Sequence, residues 1–325
     1  MAKEKPFSYS VEPIKTASVK GVPVTTYRVS DVYHTKRYIP ERQVILAMTS
    51  FMEWFLRLNP QLPFESNLNI SRHMAYLPPG IRAWTAYMPG GIATYHVHNP
   101  HIDKLITGKK LDYLTRALFR HSYDARGVRT RLYVLANLAK EVLNKQDKPV
   151  WLSIAAGTGK PVFDAVKSVP LAKRKAMTLY VTDRDESTLE FARKVYSTET
   201  QTAGTVKFEA FDVLADDVLP TVVSSRKPDV IDCSGLFEYL TDEDAVRLLT
   251  ELYKQMKPGA ELFITNMSPG HPHLHVHKRG LGWPGVRQRT VSQFIGLCTA
   301  AKVPTGSVSA HRPDDKVYNV YRIAK

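Results

Sequence analysis

Residues 151–161, WLSIAAGTGKP, hold the first residue types that could do chemistry: an apolar run entering a turn at Gly157, Thr158 and Gly159. Such a turn lets a helix start close against a strand with its amide groups facing a ligand. Gly159-Lys160 has the ending of a triphosphate-binding loop, but Ile154 stands where that motif needs its first glycine and Pro161 where it needs a magnesium-binding hydroxyl. Val162 likewise takes the third glycine position of a dinucleotide fingerprint. Residues further along the chain narrow the choice. Asp183 ends the next apolar run, where a carboxylate can accept hydrogen bonds from both hydroxyls of a ribose. Asp212 ends the run after that and can accept from an adenine amino group, and Ser234-Gly235 ends a fourth, leading into Leu236, Glu238 and Tyr239.

These positions need a scaffold that brings strand ends together. Short apolar strands are expected at 150–155, 178–183, 206–212, 228–235 and 260–267, separated by amphipathic helices such as STLEFARKVYS and DEDAVRLLTELYKQM. This alternation predicts a doubly wound α/β sheet, with ligands at the carboxyl ends of its strands. SVSAHRPDDKVYNVYRIAK adds a closing hairpin. The front half reads differently. Residues 41–60 and 111–145 predict helices, the second broken near DARG, and residues 80–100 alternate around Pro-Gly-Gly as a hairpin would. The expected organisation is an accessory or lid domain over 1–148, mainly helical with a β-hairpin, and a catalytic domain over 149–325.

His271, His273, His275 and His277 alternate in HPHLHVH, so an extended chain would present all four on one side. Imidazoles bind metals or take protons. No carboxylate or thiol lies close in sequence, so a substrate-facing or general-base role is expected and no metal ligand is assigned; His96 and His98 raise the same question in the front half.

SIAAGTGKP, VTDRDESTLEFARK, FEAFDV and PDVIDCSGLFEYLTDEDAVRLLTELYKQMKPGAELFITNM together resemble the consecutive motifs of the class I S-adenosylmethionine-dependent methyltransferases, over about residues 150–325. The resemblance implies a Rossmann-like seven-stranded sheet with a terminal antiparallel hairpin, and S-adenosyl-L-methionine as cofactor. It implies that Ala155, Gly157, Thr158 and Gly159 wrap the methionine part, that Asp183 with Arg184 holds the ribose, Asp212 with Val213 the adenine, and Ser234, Gly235 and Leu236 the wall beside the sulfonium. Ser153 and Ala155 depart from the family pattern, and Arg129 or Arg131 is placed near the cofactor carboxylate by the same likeness. Glu238 and Tyr239 sit where the fold reaches its substrate, and His273, His275 or Glu238 is the expected base if the acceptor carries a proton.

Composition sets the remaining bounds. The chain has 325 residues with 43% hydrophobic and 23% charged, a globular profile without a membrane-length apolar run. The amino end carries lysines without an apolar stretch behind them, so a cytoplasmic address is expected. Cys233 and Cys298 are too few for a disulfide framework or a four-cysteine zinc site. Of the net charge of +14, most lies in residues 1–150, with 22 basic against 11 acidic residues, and ten of the 16 tyrosines lie there too. That skew fits an anionic partner, and since no RNA-binding module or Asn-Pro-Pro-aromatic signature appears, the favoured acceptor is a small molecule, anionic if the charge serves binding. The competing readings are an RNA methyltransferase, an enzyme that transfers or cyclises the aminocarboxypropyl arm and releases methylthioadenosine, and a cofactor sensor without turnover.

Overall fold

The computed structural model describes residues 8–199, 203–215 and 218–325; the first lysines of the amino end lie outside the described residues. The strands are β1 (Tyr9–Val19), β2 (Val22–Asp31), β3 (Val150–Ser153), β4 (Thr178–Asp183), β5 (Thr205–Ala210), β6 (Val230–Cys233), β7 (Glu261–Met267), β8 (Val308–Pro313) and β9 (Tyr318–Ala324). They form one sheet in the order β1-β2-β8-β9-β7-β6-β3-β4-β5. The β3, β4, β5, β6 and β7 pairings are parallel, and β9 returns antiparallel between β7 and β8. From β3 the chain winds outward through β4 to β5, then crosses to β6 and β7, so strand order reverses beside β3 and a crevice opens at the carboxyl ends there.

The sheet has nine strands where seven were expected. The two extra strands come from the front of the chain. β2 pairs parallel with β8, covering an edge that would otherwise offer unpaired amides. β1 then forms the new edge, with a register shift between Pro13 and Lys15, a place where a proline costs no ladder bond. The signal was in VPVTTYRVSD, where Val22, Val24, Tyr27 and Val29 are buried along one short stretch.

The helices are α1 (Ile39–Leu58), α2 (Ile70–Ala75), α3 (Pro79–Trp84), α4 (Gly91–His98), α5 (Tyr113–His121), α6 (Tyr123–Leu143), α7 (Lys160–Val166), α8 (Leu171–Ala176), α9 (Glu186–Thr198), α10 (Val218–Arg226), α11 (Asp242–Gln255) and α12 (Val291–Ala300). One apolar layer joins Leu249, Leu252 and Phe294 to the sheet, another joins Leu135, Phe163 and Leu189 to it. α6 carries most of the second layer. Its break from α5 falls at Ser122, whose hydroxyl caps α6 by accepting the Ala125 N–H at 3.3 Å. The DARG segment is inside α6, and Gly127 is there because a Cβ would lie 2.4 Å from Val317.

The hairpin expected over 80–100 is absent. Ile81 with Trp84 and Ala93 with Val97 are spaced for helices, and α3 and α4 bury them against Phe119, Ala125 and Val128. The apparent period of two came from small and aromatic residues that pack equally well on a helix. Among the described residues, no helix is long and apolar enough to cross a membrane.

Candidate active site

A cavity of about 560 Å³ occupies the crevice, within the size of small-ligand pockets at roughly 300–1,000 Å³. Its floor is the turn after β3. Ala155 and Gly157 line it with φ of 51° and 57°, a backbone path glycine adopts freely and alanine rarely. Thr158 and Gly159 lie behind, not in the lining. Gly159, at φ 66°, starts α7 where a Cβ would meet the Phe163 ring at 2.7 Å. Lys160 is unavailable to a phosphate, since its ammonium pairs with Asp164 at 2.5 Å and Glu199 at 3.0 Å.

Asp183 ends β4 at the lining, where its carboxylate accepts the main-chain N–H of Gly157 at 2.9 Å and of Asp185 at 3.1 Å. Arg184 lines the cavity beside it. Asp185 caps α9 by accepting the Ser187 N–H at 3.1 Å. Asp212 and Val213 line the next sector, with the Asp212 carboxylate turned to the Leu214 N–H at 2.9 Å. Ser234, Gly235 and Leu236 complete the wall after β6.

α3 and α4 roof this floor. Gly91 comes so close to the glycine turn that an added Cβ would lie 2.7 Å from Gly157 Cα. The two backbones touch only because both residues lack side chains.

Beside the Ser234–Leu236 wall stand Arg131 and Glu238, 3.2 and 3.8 Å from where a Cβ on Gly235 would lie, and Tyr239, Asp124, His98 and His277 also line the cavity. Glu238 is buried and accepts from Arg131 Nη1 at 3.0 Å; Arg131 also lies 4.1 Å from the centre of the Tyr318 ring. Burial pushes the Glu238 carboxyl above its ordinary range, against the pull of Arg131. The Tyr239 hydroxyl accepts the Trp283 indole N–H at 2.7 Å, and burial pushes its pKa up to about 12. Burial, followed by Arg131, holds His98 well below the usual histidine range, hence neutral.

The other expected residues lie elsewhere. Arg129 is not a lining residue: its guanidinium is spent on Asp31 at 3.1 Å and on the carbonyls of Val97, Phe119 and Arg120. Arg131, two residues on, is the arginine of this pair that lies at the cavity. His273 and His275 also miss the lining, because the segment turns into a helical bend at Val276–Gly280 instead of running extended. His273 Nε2 meets Ser50 at 3.2 Å, and the His275 N–H donates to Glu53 at 2.9 Å. The four histidines therefore do not share a side.

His277 reaches the cavity, and a carboxylate distant in sequence holds it. Asp124, in the first turn of α6, lies 2.5 Å from His277 Nδ1 and 3.2 Å from His271 Nε2. Burial works against its ionisation, but the two histidines outweigh it and hold Asp124 well below the usual carboxylate range. An ionised carboxylate only accepts, so Nδ1 of His277 donates to it, and in the neutral form of that ring Nε2 is the nitrogen with the lone pair. The main-chain N–H of His273 donates to His271 Nδ1 at 2.9 Å, which puts that ring's proton on Nε2 facing Asp124. Three ligand atoms of this trio lie within 4.8 Å of one another, the spacing of a metal site. A metal would need a lone pair on His271 Nε2 and a proton on Nδ1, where an N–H already points, so the trio suits proton handling. In the sequence, Asp124 reads only as an acid at a helix start.

Residues 98–302 match the model of a family described as "Putative methyltransferase". The chain belongs to this family. The methyltransferase has the class I, Rossmann-like fold and uses S-adenosylmethionine as methyl donor. No curated protein sequence matches it. A Bordetella parapertussis structure described as a "possible exported protein" is 14% identical, with a TM-score of 0.63 over 91% of this chain and 99% of that one. The S-adenosylmethionine-dependent methyltransferase SibL, in its apo form, is 12% identical with a TM-score of 0.49, over 95% of the methyltransferase and 81% of SibL. Human N-acetylserotonin methyltransferase, solved with S-adenosylmethionine, is 14% identical with a TM-score of 0.44, over 81% and 73% of the two chains.

The cavity fits the cofactor. Its volume is in the small-ligand range, and Ala155, Gly157, Asp183, Asp212 and Ser234–Leu236 all line it. S-adenosylmethionine, when bound, supplies a methyl carbon activated by positive sulfur.

Proposed function

We propose that this methyltransferase methylates a hydroxyl group of a small molecule, with His277 as general base. The observation that carries the reading is the Asp124–His277 pair, which leaves Nε2 of a cavity-lining, buried histidine as a lone pair without a protein partner. A hydroxyl is a weak nucleophile until its proton is taken, and a positioned imidazole contributes about 10²–10⁴-fold to such a step. Asp124 orients the ring and stabilises the imidazolium that forms.

The chain's other contributions are alignment and exclusion of water. Ala155, Gly157 and the roof at Gly91 would hold the amino-acid end of the cofactor, Asp183 with Arg184 its ribose, Asp212 with Val213 its adenine, and Ser234–Leu236 the side facing the acceptor. Residues 1–148 would act as the lid that selects the acceptor, since Trp84, Val97 and His98 roof the cavity. A cavity of about 560 Å³ in the crevice favours a small acceptor over a nucleic acid.

The test is turnover by His277→Asn and Asp124→Asn. The reading expects loss of about 10²–10⁴ in kcat for the first and a smaller loss for the second, cofactor affinity unchanged in calorimetry, and S-adenosylhomocysteine as spent cofactor. Methylthioadenosine in its place, or full activity of His277→Asn, would overturn it.

A further inference from the structure

The acceptor end of the cavity carries a second polar feature that proton removal does not use. Among the described cavity-lining residues, the buried side-chain atoms without a hydrogen-bond partner are His277 Nε2 and Glu238 Oε2. Glu238 is only 2% exposed, and its Oε1 is taken by Arg131 at 3.0 Å, so Oε2 alone is left for a ligand. Buried polar atoms are nearly always paired, so each of these two calls for a partner, and the cavity that both residues line is where a ligand group can supply it.

The surroundings of these two atoms are flat rings. Trp283 stacks near His277 with centroids 6.1 Å apart and planes 25° apart, and Trp84 lies 5.9 Å from Trp283. Trp283 also donates to Tyr239, the neighbour of Glu238 in sequence, so one indole bridges the histidine side and the glutamate side. Charge at this end is balanced or negative. Arg131 is neutralised by Glu238, Asp124 is the ionised partner of His277, and no lysine is among the described lining residues. An anionic acceptor beside Glu238 would find Arg131 already paired and would face a carboxyl group, the other lining arginine being Arg184 at the end of β4.

We propose that the acceptor is an uncharged aromatic compound bearing two hydroxyl groups: one meets His277 Nε2 and receives the methyl group, the other meets Glu238 Oε2 and fixes the ring. This rests on the reading of His277 as general base. The acceptor oxygen forms its bond to the methyl carbon as the carbon–sulfur bond breaks with its electron pair remaining on sulfur, and the hydroxyl proton passes to His277 Nε2. Glu238 takes no proton in this step and acts as a specificity residue. Paired with Arg131 through Oε1, its carboxylate accepts from that hydroxyl through Oε2.

The experiment is ligand binding to the intact protein, with and without S-adenosylhomocysteine, read by quenching of tryptophan fluorescence. The probes are catechol, resorcinol, phenol, 1,2-dimethoxybenzene and 3,4-dihydroxybenzoate. One of the two dihydroxybenzenes should bind at least tenfold tighter than phenol, dimethoxybenzene should bind weakest, and the carboxylate should not improve on catechol. Glu238→Gln should bring the dihydroxy-to-phenol ratio below threefold, a readout that mere loss of stability would not move. Equal affinity for phenol and both dihydroxybenzenes, or tightest binding of the benzoate, would overturn the proposal. S-adenosylhomocysteine affinity, measured in the same samples, separates the two readings. If it is normal while ring selectivity is absent, the substrate proposal alone falls; if it is absent, the cofactor placement falls, and the probes without cofactor still decide the substrate class.

Discussion

The carboxylate of Asp183 accepts the main-chain N–H of Gly157 at 2.9 Å, tying the end of β4 to the turn after β3. The pair makes one side chain responsible for the shape of the turn, and it is the side chain we propose for the cofactor's ribose. Asp183→Asn places an NH₂ group or a weaker acceptor against that N–H. We expect S-adenosylhomocysteine affinity to drop by about 2–3 kcal/mol, the scale of charge-assisted hydrogen bonds, with the fold intact. Titration calorimetry decides; unchanged affinity would remove Asp183 from the site.

Gly91 and Gly306 offer a matched comparison. A Cβ on Gly91 would meet backbone at 2.7 Å, whereas one on Gly306 would meet nothing within 4 Å. Gly91→Ala should therefore cost about 1–3 kcal/mol as an overpacked contact, seen as a lower unfolding temperature and weaker cofactor binding together. Gly306→Ala should be close to neutral in both measurements.

Arg131 and Glu238 form a buried ion pair beneath the acceptor end. Removing one partner leaves the other charge uncompensated, so Arg131→Met should lose roughly 3–5 kcal/mol in urea unfolding. The double variant with Glu238→Leu should recover most of that loss. Additive losses would mean that the pair contributes little through its charges.

Acid should weaken the fold through buried neutral histidines. His96 is 1% exposed with both ring nitrogens unpartnered, and burial lowers its pKa to about 4. His311, between the Tyr27 and Ser309 hydroxyls, is lowered to about 4 by burial and then by Arg322. A depressed histidine pKa means that the unfolded chain binds the proton first. Stability is then complete above about pH 6.5 and falls toward pH 4, by at most about 1.4 kcal/mol per pH unit for each histidine. Unfolding temperatures between pH 7 and pH 4.5 should show the slope, and His96→Phe should flatten it. An unchanged slope in that variant would mean that His96 is not neutral in the fold.

The sequence by itself determined the parts whose signal is local. The strand-and-helix alternation from Val150 onward, the glycine turn, Asp183 at the end of its strand and the closing hairpin are written in periods of two and 3.6 residues and in turn chemistry, which neighbouring residues settle among themselves. Tertiary structure decided what depends on distant packing. Residues 80–100 became helices because α6 offered them an apolar face, and residues 9–31 became strands because the β8 edge needed covering. Asp124 meets His277 across 153 positions of chain, and His273 and His275 turn toward Ser50 and Glu53, because the bend after β7 packs on α1 and α2. Spacing along the chain records residue types, whereas a proton-handling pair depends on where two side chains meet, and that distance is fixed only when the core closes.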